Sequence, residues 1–535
     1  MLQSAAMVPP PCYHRYMTHL PPLIEAMLKP SFYPHTVPGP IQLVQTHISY
    51  VVLTGGYAYK VKKAVDLGFL NFSTLERRRH YCHEELRLNK LFAPALYLEV
   101  VPIVGTDGGY RFALPGEEDN AVEYAVKMKQ FEESQLLINV FERGELTEER
   151  ILEIATKLAA LHRASLTNES IAEYGRPESV AAMAEENYGH VRPFIGTTQD
   201  EEQFKETKAF TDAFIRENGA IFERRRAEGM IRECHGDLHL NNICIYNGRI
   251  EFFDRIEFTD LFKNIDVIYD LAFLMMDLQY RGRKDLANIL VNTYLEQRGD
   301  YEGALLLPLY LSMRAYVRGK VNSILQAGEH LDAGERNAAI EEAKAYFKHA
   351  WEYTRPKQGA VLCISGLSGS GKSTIARRLA QPLDALYLRA DAVRKHLAGI
   401  PLEETGESLY TEEMTRRTYS ELTRLGMRLA DRGFTVILDA KFDRVEERRE
   451  TIESAGARGL PLKFLLCSTG LATMKQRLRN RRGDVSDATS DLLEQQAAEF
   501  EAFSEAERAL TIEVDTTHPP NYERLVDEIH SFLMG

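Results

Sequence analysis

The sequence predicts two successive folds, an α+β region over residues 1–355 and an α/β region over residues 356–535. Three observations carry this. Residues 41–130 hold several short apolar strands, and residues 147–350 show mostly helical periodicity. After residue 356, strands and helices alternate, the pattern of a parallel sheet with helices on both faces.

Composition agrees with a globular chain. A length of 535 residues implies more than one domain. Apolar residues at 44% and charged residues at 27% exclude disorder. Lys and Arg total 65 and Asp and Glu total 78, and the resulting charge of −13 argues against a protein that coats nucleic acid. Six cysteines without a CxxC pair speak against a disulfide scaffold or zinc cluster and fit a reducing, cytoplasmic setting. The longest apolar run, Ala304 to Met313, contains Pro308 and Ser312 and falls short of the roughly 20 residues of a membrane span. The first residues do not read as a signal peptide, and Met7 and Met17 are alternative starts.

In the first region the candidate strands are IQLV, SYVVL, YAYKV, EVVPIV and VEYAVKM, with one helix over Thr74 to Phe92. This strand-rich part reaches about residue 130, and a helical part follows over about 131–350. There, Ile151, Ile154, Ala155, Leu158 and Leu161 recur at helical spacing. A helix over Glu335 to Trp351 is stopped by Pro356 and Gly359, which places the boundary. Beyond it the candidate strands are Val361–Ser365, Leu386–Arg389, Thr435–Leu438, Lys463–Cys467 and Thr511–Val514.

The segment Gly366-Leu-Ser-Gly369-Ser-Gly371-Lys372-Ser373-Thr374 matches GxxxxGK[ST] between a strand and a helix. Its glycines let backbone N–H groups wrap phosphates, and Lys372 reaches the β- and γ-phosphates. Ser373 is placed to hold Mg²⁺. Two further strands run into Asp391 and Asp439, at the strand ends that line the crevice of an open parallel sheet. One of these carboxylates can serve Mg²⁺ and the other a hydroxyl proton. Arg477 and Arg481 share a helical face in a basic run, suited to clamping phosphoryl groups, although a solvated face is the commoner meaning of such a run.

In the first region, His235-Gly-Asp237-Leu-His-Leu-Asn-Asn242 is followed by Asp254 in IEFFD. Phosphoryl transfer needs a carboxylate near the attacking hydroxyl and oxygen ligands for Mg²⁺. Asp237 fits the first role, and Asn242 and Asp254 fit the second. Lys60 lies on a strand and Glu85 on a helix, the pairing that orients nucleotide phosphates. Lys62 and Glu84 are their rivals. Ser49, in the QTHIS connection, is placed to cover the phosphates.

These motifs carry two resemblances. GLSGSGKST, RADAVRK, VILDAKF and the arginine-rich run resemble the P-loop small-molecule kinases grouped with gluconate kinase, chloramphenicol phosphotransferase and zeta toxin. The resemblance implies a five-stranded parallel sheet and phosphoryl transfer from ATP or GTP. It makes Asp391 the substrate-side acid/base, Arg394 a substrate contact, Asp439 the second-strand acid and Arg477 with Arg481 a lid. Lys441 departs from it, standing where Thr is expected. HGDLHLNNI, FFDRIEF, IDVIYDLAFL and LAALHR resemble the aminoglycoside phosphotransferase and choline kinase branch of the protein-kinase-like fold. That implies a two-lobed kinase with Asp237 as catalytic base and adenine near Met128. Asp266 and Asp270 are expected to buttress the catalytic loop. The tandem order resembles bacterial fusions of the two domains. The expected function is a bifunctional kinase acting on hydroxyls of sugar-, polyol- or aminoglycoside-like molecules. A nucleotide sensor and a nucleic-acid end kinase are the alternatives.

Overall fold

The computed structural model describes residues 20–68, 70–328, 331–404, 409–480 and 493–534. The chain forms two compact units. The first runs to Tyr280 and resumes over Pro308–Thr354; the second takes Arg281–Leu307 together with Arg355–Gly535. The expected division at 355/356 therefore misses one exchange, because residues 281–307 pack with the second unit.

The first unit opens on a six-stranded antiparallel sheet. Its strands are β1 (Gln42–Gln45), β2 (Ser49–Leu53), β3 (Tyr57–Lys62), β4 (Tyr97–Thr106), β5 (Gly109–Phe112) and β6 (Ala121–Lys129) in the order β1-β2-β3-β6-β4-β5. β5 has too short an apolar pattern to stand out in the sequence. Alternation along β3 sends Tyr59 and Val61 into a core with Ile24, Met27 and Phe32. It sends Lys60 and Lys62 to the opposite face, where both pair with Glu85 of helix α1 (Leu75–Phe92). Thr74 caps that helix by accepting the Arg77 N–H.

The helical part includes α2 (Glu148–Ala164), which buries Ile151, Ile154, Ala155 and Leu158, with His162 on the same side. Farther along lie β7 (Ile231–Glu233), β8 (Ile243–Tyr246), β9 (Arg249–Phe252) and β10 (Asn264–Asp266), which form two short antiparallel pairs, β10 with β7 and β8 with β9. Helix α3 (Val267–Tyr280) is buried nearly all round. It is followed by α4 (Lys284–Arg298), which belongs to the second unit, and by α5 (Leu307–Gln326).

The second unit contains β11 (Ala360–Ser365), β12 (Leu386–Arg389), β13 (Thr435–Asp439), β14 (Leu462–Ser468) and β15 (Thr511–Asp515). They form one five-stranded parallel sheet, β12-β13-β11-β14-β15, with β11 at its centre. Among the helices that connect these strands are α6 (Lys372–Ala380), α7 (Ala390–Ala398), α8 (Glu412–Ala430) and α9 (Val445–Gly456). Leu362, Ile364, Ile375, Leu379, Ile437 and Leu465 are among the core residues. β12 is an edge strand, whose free N–H and C=O groups need partners. Helix α4 supplies them. Asn292 Oδ1 accepts the Tyr387 N–H at 2.7 Å, and Asn292 Nδ2 donates to Ala385 O at 3.0 Å. Asn288 Nδ2 donates to the same carbonyl at 3.0 Å. Glu296 pairs with Arg389 at 3.5 Å, and Glu302 pairs with Arg424 and Arg428.

Among the described residues, no helix is long and apolar enough to cross a membrane. The five described cysteines, Cys82, Cys234, Cys244, Cys363 and Cys467, are free and buried.

Candidate active sites

In the first unit, one narrow cavity is lined by Lys60, Asp237, Asp254 and Glu257 together with Ile48, Arg255, Ile256 and Phe258. Residues far apart in sequence thus meet. Lys60 Nζ lies 2.6 Å from Asp254 Oδ1 and 2.8 Å from Glu85 Oε1. Lys62 Nζ lies 2.6 Å from Glu85 Oε2 and 2.5 Å from Glu257 Oε1. The two lysines therefore share Glu85, but only Lys60 faces Asp254. Burial pushes the Glu85 carboxyl up, yet Lys60 and Lys62 outweigh it and hold the group at about 2. Burial likewise works against a charged Lys60, and Asp254 and Glu85 outweigh it, raising that lysine well above its usual value. Glu84 instead pairs with Arg87 on the surface of the helix.

Asp254 sits in the left-handed region with φ of 62°, a strained conformation for a residue with a side chain. Its N–H donates to the Tyr97 hydroxyl at 3.2 Å. The next residue, Arg255, is fully buried and donates to Leu88 O at 2.6 Å, while its own N–H donates to Asn89 Oδ1 at 3.0 Å. The strand end carrying Asp254 is thereby tied to the helix carrying Glu85.

The HGD loop is held from beneath. Asp270 accepts the N–H groups of His235 and Gly236, each at 2.9 Å. Asp277 accepts the Leu240 N–H at 3.0 Å, and Arg314 donates to Gly236 O at 3.0 Å. Gly236 has φ of +86°, and a Cβ there would stand 2.6 Å from Phe262 O, so no other residue fits. His235 Nδ1 accepts the Asp237 N–H at 3.3 Å, and its Nε2–H donates to Phe253 O at 2.8 Å. Burial drives His235 down to about 4, so the ring is neutral at neutral pH. Asp266 departs from expectation: it does not reach this loop but pairs with Arg225 at 2.6 Å, because it ends β10 rather than riding on the helix.

Asn242 Nδ2 donates to Asp237 Oδ2 at 2.9 Å, which fixes the Asp237 carboxylate. Asn242 Oδ1 is buried with no hydrogen-bond partner. With the Asp254 carboxylate, this buried orphan oxygen makes a donor set that suits a hard cation such as Mg²⁺. Ser49 is buried at the start of β2, and its Oγ has no hydrogen-bond partner either. Met128 lies on β6 in an apolar cluster with Cys82, Tyr97 and Tyr124, and does not line the cavity.

The second unit has an open cleft of about 1460 Å³. Gly369, Gly371, Lys372, Ser373, Thr374, Asp391, Arg394, Asp439, Lys441 and Arg477 all line it. The loop at its base starts at Gly366, where φ is +135° and a Cβ would stand 2.4 Å from Cys467 O. Lys372 Nζ donates to Leu367 O at 2.8 Å, lying back over its own loop. Burial lowers its pKa, with Asp439 and Asp391 opposing. Asp439 ends β13 and accepts the Tyr387 hydroxyl at 2.7 Å. Asp391 stands in the first turn of α7 and pairs with Arg394 at 2.6 Å. Lys441 pairs with Asp443 at 2.8 Å. Arg477 is engaged by backbone around the loop, donating to Thr516 O at 2.6 Å and to Gly369 O at 3.5 Å. Arg481 lies outside the described residues.

Sequence reasoning overlooked Glu257, Asp277 and Arg314 in the first site, and Tyr387 and Glu447 in the second. Glu257 lies just past Asp254 in FFDRIEF, where the neighbouring aspartate drew the reading, and the others lie in stretches whose letters read as core or as a solvated face.

Over most of its length the chain is similar to an uncharacterized protein of Mycobacterium tuberculosis, 29% identical over 457 residues that cover 84% of this chain and 88% of that one. Among solved structures, a gluconokinase from Sinorhizobium meliloti is 22% identical and covers 34% of this chain and 94% of its own, with a TM-score of 0.24. A choline/ethanolamine kinase family protein from Mesorhizobium loti is 12% identical and covers 62% and 99%, with a TM-score of 0.37. A family described as an AAA domain matches residues 361–503. That match spans the strand, loop and helix around Lys372 and the strand that ends in Asp439.

Proposed function

We propose that the chain is a tandem phosphotransferase, each unit moving a γ-phosphoryl group from a nucleoside triphosphate to a hydroxyl of a small molecule. The observation that carries this reading is the meeting of Lys60, Asp237 and Asp254 at one cavity, with Glu85 bound to Lys60. The loop and Lys372 at the base of the second cleft give it the same chemistry by a different fold.

In the first unit, which we read as a two-lobed kinase-like domain, Lys60 orients the phosphates and Glu85 keeps it in place. Asp237 accepts the proton of the attacking hydroxyl, its carboxylate aimed by Asn242. Asn242 Oδ1 and Asp254 would hold Mg²⁺. In the second unit Lys372 and the loop N–H groups bind the phosphates, and Ser373 and Asp439 would hold Mg²⁺. Asp391 takes the hydroxyl proton there, and Arg394 positions the acceptor. The metal, when bound, neutralises charge on the transferring phosphoryl group.

The test is release of nucleoside diphosphate from Mg-ATP and Mg-GTP across sugars, polyols and aminoglycosides. Wild type is compared with Asp237→Asn and Lys372→Ala. Turnover lost in only one variant assigns that substrate to one unit. Turnover lost in both shows that the two reactions are coupled. Nucleotide binding without turnover of any acceptor overturns the proposal.

A further inference from the structure

The second cleft contains a carboxyl group that neither phosphate binding nor proton transfer uses. Glu447 stands in the first turn of α9, and its side chain lines the cleft together with Asp391 and Arg394.

The start of α9 is held in place. Arg448, fully buried, donates to Phe442 O at 3.0 Å and pairs with Glu507 at 2.7 Å. Phe442 has φ of 47°, and its N–H donates to the Tyr419 hydroxyl of α8 at 3.2 Å. With Arg448 turned into the core, its neighbour Glu447 is turned toward the cleft. Glu447 Oε2 is buried and has no hydrogen-bond partner. Arg394 Nε, on the same cleft, is also buried without one, although Arg394 Nη1 pairs with Asp391. One orphan acceptor and one orphan donor thus belong to two residues that line a single cleft, and each costs free energy until a partner meets it.

We propose that Glu447 is a specificity-determining residue of the second site, whose Oε2 accepts a hydrogen bond from a hydroxyl of a polyhydroxylated acceptor, while Arg394 Nε donates to another oxygen of the same molecule. The inference rests on the phosphotransferase reading of that cleft. A polyhydroxylated molecule offers donors and acceptors side by side and meets both orphans. A polycation leaves Arg394 unmatched and faces its charge. A polyanion faces Glu447 and the neighbouring Asp443.

The charge state of Glu447 offers a second readout. Burial and then Asp443 push its carboxyl up to about 7, with Lys441 and Arg444 opposing. Tyr419 and Arg416 face this part of the cleft from α8, Arg394 from α7, and Glu450 from the next turn of α9. A hydroxyl that donates to Oε2 favours the ionised form, so acceptor binding tightens as pH rises through about 7.

The experiment uses the full chain, with sorbitol, myo-inositol, D-glucose and D-gluconate as probes and kanamycin as the polycation. ADP release is followed from about pH 6 to 8 in wild type, Glu447→Gln, Glu447→Ala and Lys372→Ala, with thermal unfolding as a check that each variant folds. The expected result is an acceptor KM raised at least tenfold in Glu447→Gln, an ATP KM within twofold of wild type, and loss of the rise with pH. Lys372-dependent turnover of a probe with unchanged acceptor KM and pH profile in both Glu447 variants overturns this inference alone. So does turnover of kanamycin only. If no probe turns over, calorimetry with a non-hydrolysable ATP analogue decides. Probe binding that Glu447→Gln abolishes keeps the inference and sinks the reaction, whereas no probe binding overturns both.

Discussion

Replacing Asp270 with Asn probes how the loop from His235 to Asn242 is held. The carboxylate is fully buried, and its oxygens accept the N–H groups of His235 and Gly236 at 2.9 Å and lie 3.1 Å from His162 Nε2. Burial alone would raise its pKa, but His162, and after it His235 and Arg314, bring it from 3.8 down to about 2. That fall corresponds to roughly 2.5 kcal/mol favouring the charged form in the folded state. Because the folded value is depressed, the stabilisation is present above about pH 4 and is lost as pH falls through about 2. Asparagine keeps one oxygen but turns an NH₂ group toward a backbone N–H. At least one charge-assisted bond is lost, worth about 1.5–3 kcal/mol, and a buried donor is left facing a donor at about 1–3 kcal/mol more. The expected loss is therefore about 2.5–6 kcal/mol. The single tryptophan, Trp351, lies in the first unit, so its fluorescence during urea unfolding reports on that unit. A loss below about 0.5 kcal/mol, with Asp237-dependent activity intact, would refute the view that this carboxylate organises the loop.

Other substitutions separate roles that look alike. Lys60→Met is expected to lower turnover by the first unit at least 100-fold, through loss of phosphate orientation worth roughly 3 kcal/mol. Lys62→Met is expected chiefly to destabilise, by about 3–5 kcal/mol, because it leaves Glu85 and Glu257 buried against each other; urea midpoints and kcat distinguish the two. His235, with a folded pKa of about 4 against the usual 6.5, must be neutral in the folded state. The first unit should therefore lose about 3 kcal/mol as pH falls from 6.5 to about 4, and His235→Gln should flatten that slope in pH-dependent unfolding. Asn292→Ala removes both of its bonds to the β12 edge and should lower the stability of the second unit by about 2–3 kcal/mol. A thermal transition of that unit unmoved by the change would refute the clamp.

Much of both sites was legible because their motifs are local. The loop around Lys372 and the run from His235 to Asn242 each place several groups within a few residues, and backbone geometry needs little more. The pairing of residues distant in sequence was not legible. Lys60 and Lys62 share one face of β3, and what separates them is whether Asp254 or Glu257 arrives opposite, which depends on the whole first unit. Glu447 sits in a stretch of alternating acids and arginines that reads as a wet helix face, and only the burial of Arg448 turns it toward the cleft. Asn288 and Asn292 likewise read as polar surface, since nothing in the letters says that an edge strand almost a hundred residues later will seek their amides. The exchange of residues 281–307 to the second unit was missed for the same reason: a boundary drawn where one helix stops cannot detect a helix that packs out of order.

That exchange gives the polypeptide an unusual timetable. Residues 281–307 leave the ribosome before any strand of the sheet they complete, and the first unit still lacks Pro308–Thr354 when they do. Asn288 and Asn292 are therefore made before Ala385 and Tyr387, and Glu296 and Glu302 before Arg389 and Arg424. Domains usually fold as contiguous units from the N-terminal end during synthesis, but here the second unit begins in the middle of the first. A chain stopped just before residue 356 carries an orphaned helix, and one started there lacks the helix that seals β12. The two units share no uninterrupted cut point, so a gene encoding either one alone must be spliced from two pieces.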